Sequence, residues 1–268
     1  MSEPAAPPTY QTIELLVDGP RGELWFNRPE KLNPTSGLLL DEVADAARWL
    51  DRRPGLKVVL VSGRGRGFSS GADLDSFGAD DEVAPRDAAD RFRRTCEALE
   101  DLNAVTVARI NGACVGGGLV LASACDLRIA VDDAVFFIPE VDLGVPLSGG
   151  GLPRLVRELG PTVARELIMT CRRFSAAEAL AWRFLNRVVP AAELDAAVEE
   201  LMASLLDKAR QPLLATKRHA AAVAETLVQA GRSWSDADGL LAARADPESR
   251  EAAGRYLRRR APGGAASS

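Results

Sequence analysis

Two serines lie between glycines in the segment GFSSGADL, residues 67–74. Read as G-x-S-x-G, the segment has the pattern of a serine hydrolase, in which a strand runs directly into a nucleophilic serine that opens a helix. Here glycines at every second position from 63 to 67 separate the apolar run KVVLV from Ser69, so we expect the strand to end near Val61. This spacing disfavours Ser69 as a nucleophile.

A serine nucleophile also needs a base. His219 is the only histidine, and it lies in the helical pattern ATKRHAAAVAETL beside basic neighbours, which is typical of a solvated side chain. Nucleotide-binding patterns fail as well, because GRGRGF is not G-x-G-x-x-G and no G-x-x-x-x-G-K-[ST] occurs. A serine hydrolase is therefore a remote alternative, and a phosphate-binding loop is disfavoured.

A second glycine cluster, Gly116–Gly118 with Gly112 before it, also follows an apolar run. Glycines at a strand end let the backbone turn sharply and expose N–H groups to a ligand. This cluster leads into a predicted helix, whose N-terminus favours negative charge. Two amide donors from separate loops that meet at one oxygen form an oxyanion hole. Two ordinary tight turns are the alternative.

Alternating strand and helix patterns position these clusters. IELLVDG, GELWFNRP, LKVVLVSG, AVTVARING and DLRIAVDDAVFFIPE predict strands, and TSGLLLDEVADAARWLDRR and DAADRFRRTCEALEDLN predict amphipathic helices. From about residue 161 the pattern is mostly helical, with a capping box at Ser175–Glu178 and a cap at Asp246 before Pro247. We therefore predict an α/β core followed by a helical C-terminal part.

Composition restricts the class of protein. The 268 residues are 47% hydrophobic and 26% charged with a net charge of −5, which is typical of a globular protein and argues against a nucleic-acid partner. No segment has the ~20 apolar residues of a membrane span, and the start has no signal-peptide pattern, so we expect a cytoplasmic protein. The four cysteines form no CxxC pair, so we expect buried reduced thiols and no metal.

Several segments resemble, in order and spacing, the crotonase (enoyl-CoA hydratase/isomerase) superfamily. They span about residues 13–260 and are NRPEKLNPTS, KVVLVSGRGRGFSSGADL, ARINGACVGGGLVLASACDLRIA, FFIPEVDLGVPLSGGGLPRLVRELG, FSAAEALAWRFLNRVVP and ATKRHAA. The resemblance implies an α/β spiral of β-β-α repeats over residues 11–195, which holds an acyl-CoA site. It also implies a helical region over 196–260 that builds trimers or hexamers, with flexible tails at 1–10 and 261–268.

The resemblance also implies an acyl-CoA thioester substrate, with coenzyme A entering as part of that substrate and no separate cofactor. It assigns the backbone N–H groups of Ala72 and Gly117 as the oxyanion donors that hold the thioester oxygen while an enolate forms. One such donor is worth about 2.7–4 kcal/mol in comparable sites, and the serines then need no catalytic role. The other substrate-binding positions that the resemblance implies are Lys31, Ser70, Asp73, Leu74, Gly116, Val120, Pro139 and Gly144.

Hydratases of this superfamily use two glutamates, and one of them is replaced here. The first position holds Val120, whereas the second holds Glu140, in IPEVDLG. One acid–base group typically contributes 10²–10⁴ in rate, so the resemblance predicts poor hydration. Isomerisation of 3-enoyl-CoA to 2-enoyl-CoA needs one carboxylate and no water, and it is slightly favoured, with Glu140 as the single acid/base and a pKa raised by burial.

Two alternatives remain open at this point. Glu140 is either this base or a surface or capping glutamate ahead of the helix pattern LPRLVREL. The chain is either an enzyme or an acyl-CoA-binding homologue without efficient catalysis. The second alternative is considered because Val120 replaces a glutamate.

Basic groups are expected to hold the CoA phosphates. Lys31 is the candidate, with Arg64 and Arg66 as possible additions, while the basic residues between 255 and 260 are expected to form a solvated helix end. The superfamily's P-G-x-G-G is altered to PLSGGG at 146–151, so we expect an unusual acyl pocket.

Overall fold

The computed structural model describes residues 6–75, 85–227 and 236–260. Its strands are β1 (Ile13–Asp18), β2 (Arg21–Phe26), β3 (Val58–Gly63), β4 (Gly67–Ser69), β5 (Val105–Ile110), β6 (Ala113–Val115), β7 (Leu127–Val131), β8 (Val135–Phe137), β9 (Phe174–Ser175) and β10 (Arg187–Val189). Its α-helices are α1 (Gly37–Asp51), α2 (Pro85–Glu100), α3 (Gly117–Ser123), α4 (Gly151–Thr170), α5 (Ala176–Ala181), α6 (Leu194–Asp207), α7 (Arg210–Leu227), α8 (Asp236–Ala245) and α9 (Pro247–Arg260).

The element order repeats β-β-α four times, which confirms the predicted spiral. The repeats are β1-β2-α1, β3-β4-α2, β5-β6-α3 and β7-β8-α4. One sheet has the order β1-β2-β3-β5-β7-β10, and a second has the order β4-β6-β8-β9. From the second repeat onward, each repeat therefore places its first strand in the larger sheet and its second strand in the smaller one.

The larger sheet is mainly parallel and forms the centre of the fold. β3 pairs in parallel with β2 on one side and with β5 on the other. All six residues of β3 are buried, as expected for an apolar strand that is covered on both faces. α1 and α2 pack against each other, with apolar residues of α1 in the same core.

The structure corrects the sequence analysis at the first glycine cluster. β3 extends to Gly63 rather than ending near Val61, and residues 67–69 form β4 instead of an irregular loop. β4 is stabilised by parallel pairing with β6, in which Gly67 lies opposite Ala113. A three-residue strand flanked by glycines has little local preference of its own, so its formation depends on this pairing.

The C-terminal part is helical, and its predicted caps are present. Ser175 and Glu178 form a complete capping box at the start of α5, and the Asp246 carboxylate accepts from the Ser249 N–H at 2.8 Å in α9. The division between residues 195 and 196 and the flexible tails at 1–10 and 261–268 stay predictions, and residues 1–5 and 261–268 of these tails lie outside the described residues. Among the helices that the structure describes, none is long and apolar enough to cross a membrane.

Candidate active site

The first candidate donor, Ala72, follows β4 and pairs with Thr35 in a parallel bridge. Thr35 N–H donates to the Gly71 carbonyl at 2.7 Å, and Asp73 N–H donates to the Thr35 carbonyl at 3.1 Å. In such a bridge the central residue directs its own N–H to the opposite side. The Ala72 N–H is therefore directed away from Thr35, and Ala72 as a whole is exposed.

The second candidate donor, Gly117, is the first residue of α3. The first N–H groups of a helix have no partner within it, and the preceding Gly116 has no side chain to cap them. Gly116 has a φ of 46°, and its N–H donates to the Phe137 carbonyl at 2.9 Å. This bond ties the turn to β8. Because Gly117 begins the helix, its N–H has no acceptor within the helix.

The carboxyl group of Glu140 lies against this turn. Its Oε1 is 2.6 Å from the position that a Cβ atom on Gly116 would occupy, so a larger residue there would displace the carboxyl group. Its Oε2 is buried and has no hydrogen-bond partner among the described residues. Burial raises the pKa of Glu140 from 4.5 to about 7, against the opposite effect of its own backbone N–H. Because Oε2 is buried, the structure does not support the alternative of a surface glutamate, and the role of Glu140 as the base stays a prediction.

The backbone around Glu140 is held by a closed turn that begins at the buried Pro139. Val145 N–H donates to the Glu140 carbonyl at 2.9 Å. Gly144 in this turn has a φ of 70°, and a Cβ atom there would clash with the backbone carbonyl oxygen of Ser249 in α9. Gly144 is thus required both for its backbone conformation and for the close approach of α9.

Val120 is buried in α3, at the position where the resemblance places the second glutamate. Its Cγ2 is 2.8 Å from the position of a Cβ atom on Gly151, where the Leu147 side chain also approaches to 2.9 Å. Val120 therefore packs against the first residue of α4. The sequence of α3, GGLVLAS, supplies no carboxylate in its place.

Thr35 connects the two donor segments. Its backbone N–H and carbonyl groups bond to the residues on either side of Ala72. Its Oγ1 lies 2.8 Å from the point that a Cβ atom on Gly117 would occupy. Gly116 also contacts Glu140. The structure thus brings the segments that contain Ala72, Gly117 and Glu140 to one region.

The two serines of the opening motif both bond to nearby backbone groups, and the predicted contact of Ser70 with substrate stays a prediction. Ser69 is completely buried, and its Oγ accepts from the Gly71 N–H at 3.3 Å. Its Cβ lies so close to Gly118 that it is 2.6 Å from the point that a Cβ atom there would occupy. Ser70 Oγ donates to the Lys31 carbonyl at 3.2 Å. His219 is exposed on α7, as expected. A buried serine without an adjacent base does not support the hydrolase alternative.

Two ion pairs surround the Ala72 segment. Asp73 is buried and pairs with Arg28 at 2.6 Å, and its Oδ1 accepts from the Asp75 N–H at 3.3 Å. Lys31 pairs with Asp75 at 2.6 Å on the exposed surface, and the Asp75 carboxylate raises the pKa of Lys31. These contacts hold Asp73 in place, and its predicted contact with substrate stays a prediction. Lys31 is exposed beside Asp75, and its predicted contact with a CoA phosphate also stays a prediction.

The other basic candidates differ in their surroundings. Arg64 pairs with Glu14 and its guanidinium stacks 4.0 Å from the centre of the Trp25 ring. These contacts hold Arg64 on the larger sheet, whereas Arg66 is exposed. In the basic helix end, Arg255 is exposed and pairs with Glu251 of its own helix at 2.9 Å.

Comparison with known proteins identifies the family. The family model described as Enoyl-CoA hydratase/isomerase matches residues 22–263. The chain belongs to this family. Among curated relatives, it is 39% identical to the probable enoyl-CoA hydratase echA8 of Mycobacterium tuberculosis over 69% of this chain and 72% of that protein. It is 35% identical to the carnitinyl-CoA dehydratase of Proteus mirabilis over 82% and 84%. It is also 33% identical to the peroxisomal Delta(3,5)-Delta(2,4)-dienoyl-CoA isomerase of Arabidopsis thaliana over 78% and 81%.

Solved structures of the enoyl-CoA hydratase/isomerase family have the same fold. An enoyl-CoA hydratase from Mycobacterium avium subsp. paratuberculosis K-10 has a TM-score of 0.85 at 28% identity, covering 95% of this chain and 98% of that one. A putative enoyl-CoA hydratase from Thermobifida fusca YX, solved in complex with acetoacetyl-CoA, has a TM-score of 0.72 at 32% identity, covering 87% and 93%. These matches confirm the predicted fold class, and the named relatives include both hydratases and an isomerase.

Two residues that contact the candidate site were missed by the sequence analysis. Phe92 of α2 contacts Gly117, and Asp236 of α8 accepts from the Gly150 N–H at 2.9 Å. These contacts join segments that are far apart in sequence, and no local pattern marks either residue. The predicted Leu74 is half-buried beside Asp73, which leaves its predicted substrate contact untested.

The cysteines take no part in the site geometry described above. Cys96, Cys114 and Cys125 are free and buried, as predicted, while Cys171 is half-buried. Burial raises the pKa of each of the three buried thiols. Within the described part of the chain, no group of three or more histidine, cysteine or acidic residues is placed to hold a metal ion.

Proposed function

We propose that the protein transforms acyl-CoA thioesters through an enolate, with Glu140 as the single acid/base. The Ala72 and Gly117 N–H groups hold the thioester oxygen as charge develops on it. The observation that supports this proposal is the Glu140 carboxyl group, which is buried, lacks a partner at Oε2 and contacts the residue before the Gly117 donor.

The favoured reaction is isomerisation of a 3-enoyl-CoA to a 2-enoyl-CoA. Glu140 removes a proton from C2, the enolate oxygen accepts hydrogen bonds from the two amides, and the same carboxyl group returns the proton to C4. A pKa of about 7 suits a group that must both accept and release a proton near neutral pH. Val120 is apolar, so α3 provides no second carboxylate to activate water for hydration.

The proposal includes the substrate and the assembly. Coenzyme A enters as part of the substrate, and proton transfer with amide donors requires no separate cofactor. We also propose a homotrimer or a dimer of trimers. The resemblance to the superfamily implies this assembly. Light scattering at several concentrations tests the assembly, and a monomer throughout would refute it.

The decisive experiment is turnover of a 3-enoyl-CoA, followed by the absorbance of the conjugated thioester. Glu140→Gln keeps the shape of the side chain but removes its basicity, so we expect turnover to fall by about 10²–10⁴. Glu193→Gln is the matched control, because Glu193 is exposed at the start of α6. Unchanged turnover in Glu140→Gln would show that another group is the base.

The second candidate is an acyl-CoA-binding homologue without efficient catalysis, for which the buried Val120 is the specific observation. Calorimetric binding of a saturated acyl-CoA without turnover of either enoyl isomer would favour it. In the proposed enzyme, Val120→Glu is expected to increase hydration of a 2-enoyl-CoA. If hydration does not increase in a folded variant, this position does not supply the acid–base group.

A further inference from the structure

The ring of Phe92 lies between two glycines that belong to different parts of the site. Its Cε2 and Cζ are 2.8 and 3.1 Å from the position of a Cβ atom on Gly117. At the other end of the side chain, Phe92 Cβ and Cδ1 are each 2.8 Å from the point that a Cβ atom on Gly149 would occupy. One half-buried side chain of α2 therefore spans from the oxyanion donor to the glycine segment that precedes α4.

The peptide group between Gly116 and Gly117 is flanked by Glu140 and Phe92. Glu140 Oε1 approaches the Gly116 Cα, and the Phe92 ring approaches the Gly117 Cα. The N–H of this same peptide group is the proposed donor to the thioester oxygen. An acyl group that is held by this N–H must therefore lie close to both the carboxyl group and the ring.

The position of the ring is fixed on the side of α4. Arg154 Nη1 donates to the carbonyls of Gly149 and Gly150 at 3.3 and 3.1 Å. The Gly150 N–H donates to the Asp236 carboxylate at 2.9 Å. With its backbone N–H and carbonyl groups held in this way, the glycine segment does not easily move away from the ring.

Helix α2 is also anchored, so the ring cannot withdraw with its own helix. Thr95 lies one turn after Phe92, and its Oγ1 donates to the Leu40 carbonyl of α1 at 3.0 Å. α1 and α2 pack against each other along their lengths. A rigid aromatic ring that is held from both sides acts as a wall rather than as an adaptable surface.

We propose that Phe92 is a specificity-determining residue that limits the width of the acyl group at C2, so that unbranched thioesters are accepted and thioesters with a methyl branch at C2 are rejected. The inference rests on the proposed function, because it needs the thioester carbonyl at the Gly117 N–H. C2 is the carbon next to that carbonyl, so a branch there lies nearest to the ring. A single methyl group in an apolar pocket changes selectivity by about 10–200-fold.

The test compares two thioesters in the wild type, Phe92→Leu and Phe92→Ala. The first ratio is the kcat/KM for 3-hexenoyl-CoA divided by that for 2-methyl-3-hexenoyl-CoA. The second ratio is the dissociation constant of the saturated 2-methylhexanoyl-CoA divided by that of hexanoyl-CoA, both measured by calorimetry. We expect both ratios to fall at least tenfold in Phe92→Ala and by a smaller factor in Phe92→Leu. A purely structural role would lower turnover of both thioesters together and leave the ratios unchanged.

Trp182→Leu is the matched control, because Trp182 is another half-buried aromatic residue, packed against Phe174 at 5.6 Å between ring centres. Its ratios are expected to equal those of the wild type. If Phe92→Ala does not fold, Phe92→Leu, which keeps an apolar side chain of similar length, decides the question. Ratios within twofold of the wild type in every folded Phe92 variant would overturn the inference.

The outcomes separate this inference from the function on which it rests. If the wild type binds neither saturated thioester and turns over neither enoyl thioester, the proposed function fails. If the wild type binds and converts the unbranched thioester but the ratios do not respond to Phe92, only the role of Phe92 fails.

Discussion

Replacing Glu140 by glutamine removes an ionisable group from the site while keeping its shape, and the effect on stability can be calculated. Burial raises the pKa of Glu140 from 4.5 to about 7 in the folded protein. The folded protein therefore holds this proton more tightly than the unfolded chain does. Between these two pH values the free energy of unfolding falls as pH rises, and above about pH 7 the full loss is present.

The size of this loss follows from the pKa difference. Each pKa unit corresponds to about 1.36 kcal/mol, so the ionised carboxyl group lowers the free energy of unfolding by up to about 3 kcal/mol at pH 8. At pH 5 the same relation gives less than about 1 kcal/mol. Glu140→Gln avoids this loss, so we expect it to be more stable than the wild type at pH 8 and nearly equal to it at pH 5.

The assay is urea unfolding of both proteins at pH 5, 6, 7 and 8, at one protein concentration because assembly also affects apparent stability. Glu193→Gln serves as the control for the loss of an exposed carboxylate, and its stability should follow that of the wild type. If the difference between Glu140→Gln and the wild type does not change with pH, the carboxyl group is not held in a dry environment. That result would also remove the reason for its high basicity.

Three further results are expected. The kcat/KM of the wild type should rise with pH, reach half of its maximum near pH 7 and level off above about pH 8, because Glu140 must lose its proton to act as the base. A flat profile from pH 5 to 9 would contradict this. Asp236→Ala should lower the free energy of unfolding by about 1–3 kcal/mol, because it leaves the buried Gly150 N–H without its acceptor. Asp236→Asn keeps a carbonyl acceptor, so its free energy of unfolding should fall much less. Gly144→Ala should destabilise more than Gly19→Ala in thermal unfolding: both have positive φ, but only Gly144 would also clash with Ser249, while Gly19 has open space around it.

Much of the fold could be predicted because its signals are local. The apolar run 58–61 of β3 and the capping box at Ser175 are each encoded in one short segment, and the structure has both. The short strands β4 and β6 were missed because they are stabilised by each other and by β8, not by their own residues. The resemblance to the superfamily predicted that the two glycine clusters lie in one site. The spacing of the glycines alone did not decide between such a site and two ordinary tight turns.

The surroundings of the site residues could not be predicted in the same way. Glu140 follows a proline, and the sequence alone allowed a surface position as well as a buried one. Its burial depends on a turn that packs against Gly116 from a separate repeat. Phe92 is one apolar residue among several on an amphipathic helix, and only the three-dimensional arrangement shows that its ring meets Gly117 rather than the general core.

Helix α9 contacts the turn that carries Glu140, through Ser249 at Gly144, and helix α8 contacts the glycine segment that precedes α4, through Asp236 at Gly150. Two C-terminal helices therefore pack directly against the candidate site, although 86 residues separate Gly150 from Asp236 in sequence. An exchange of parts with a relative has to transfer residues 139–151 together with 236–260. A chimera that moves either piece alone would carry mismatched surfaces beside the acyl group, even if its sheets formed normally.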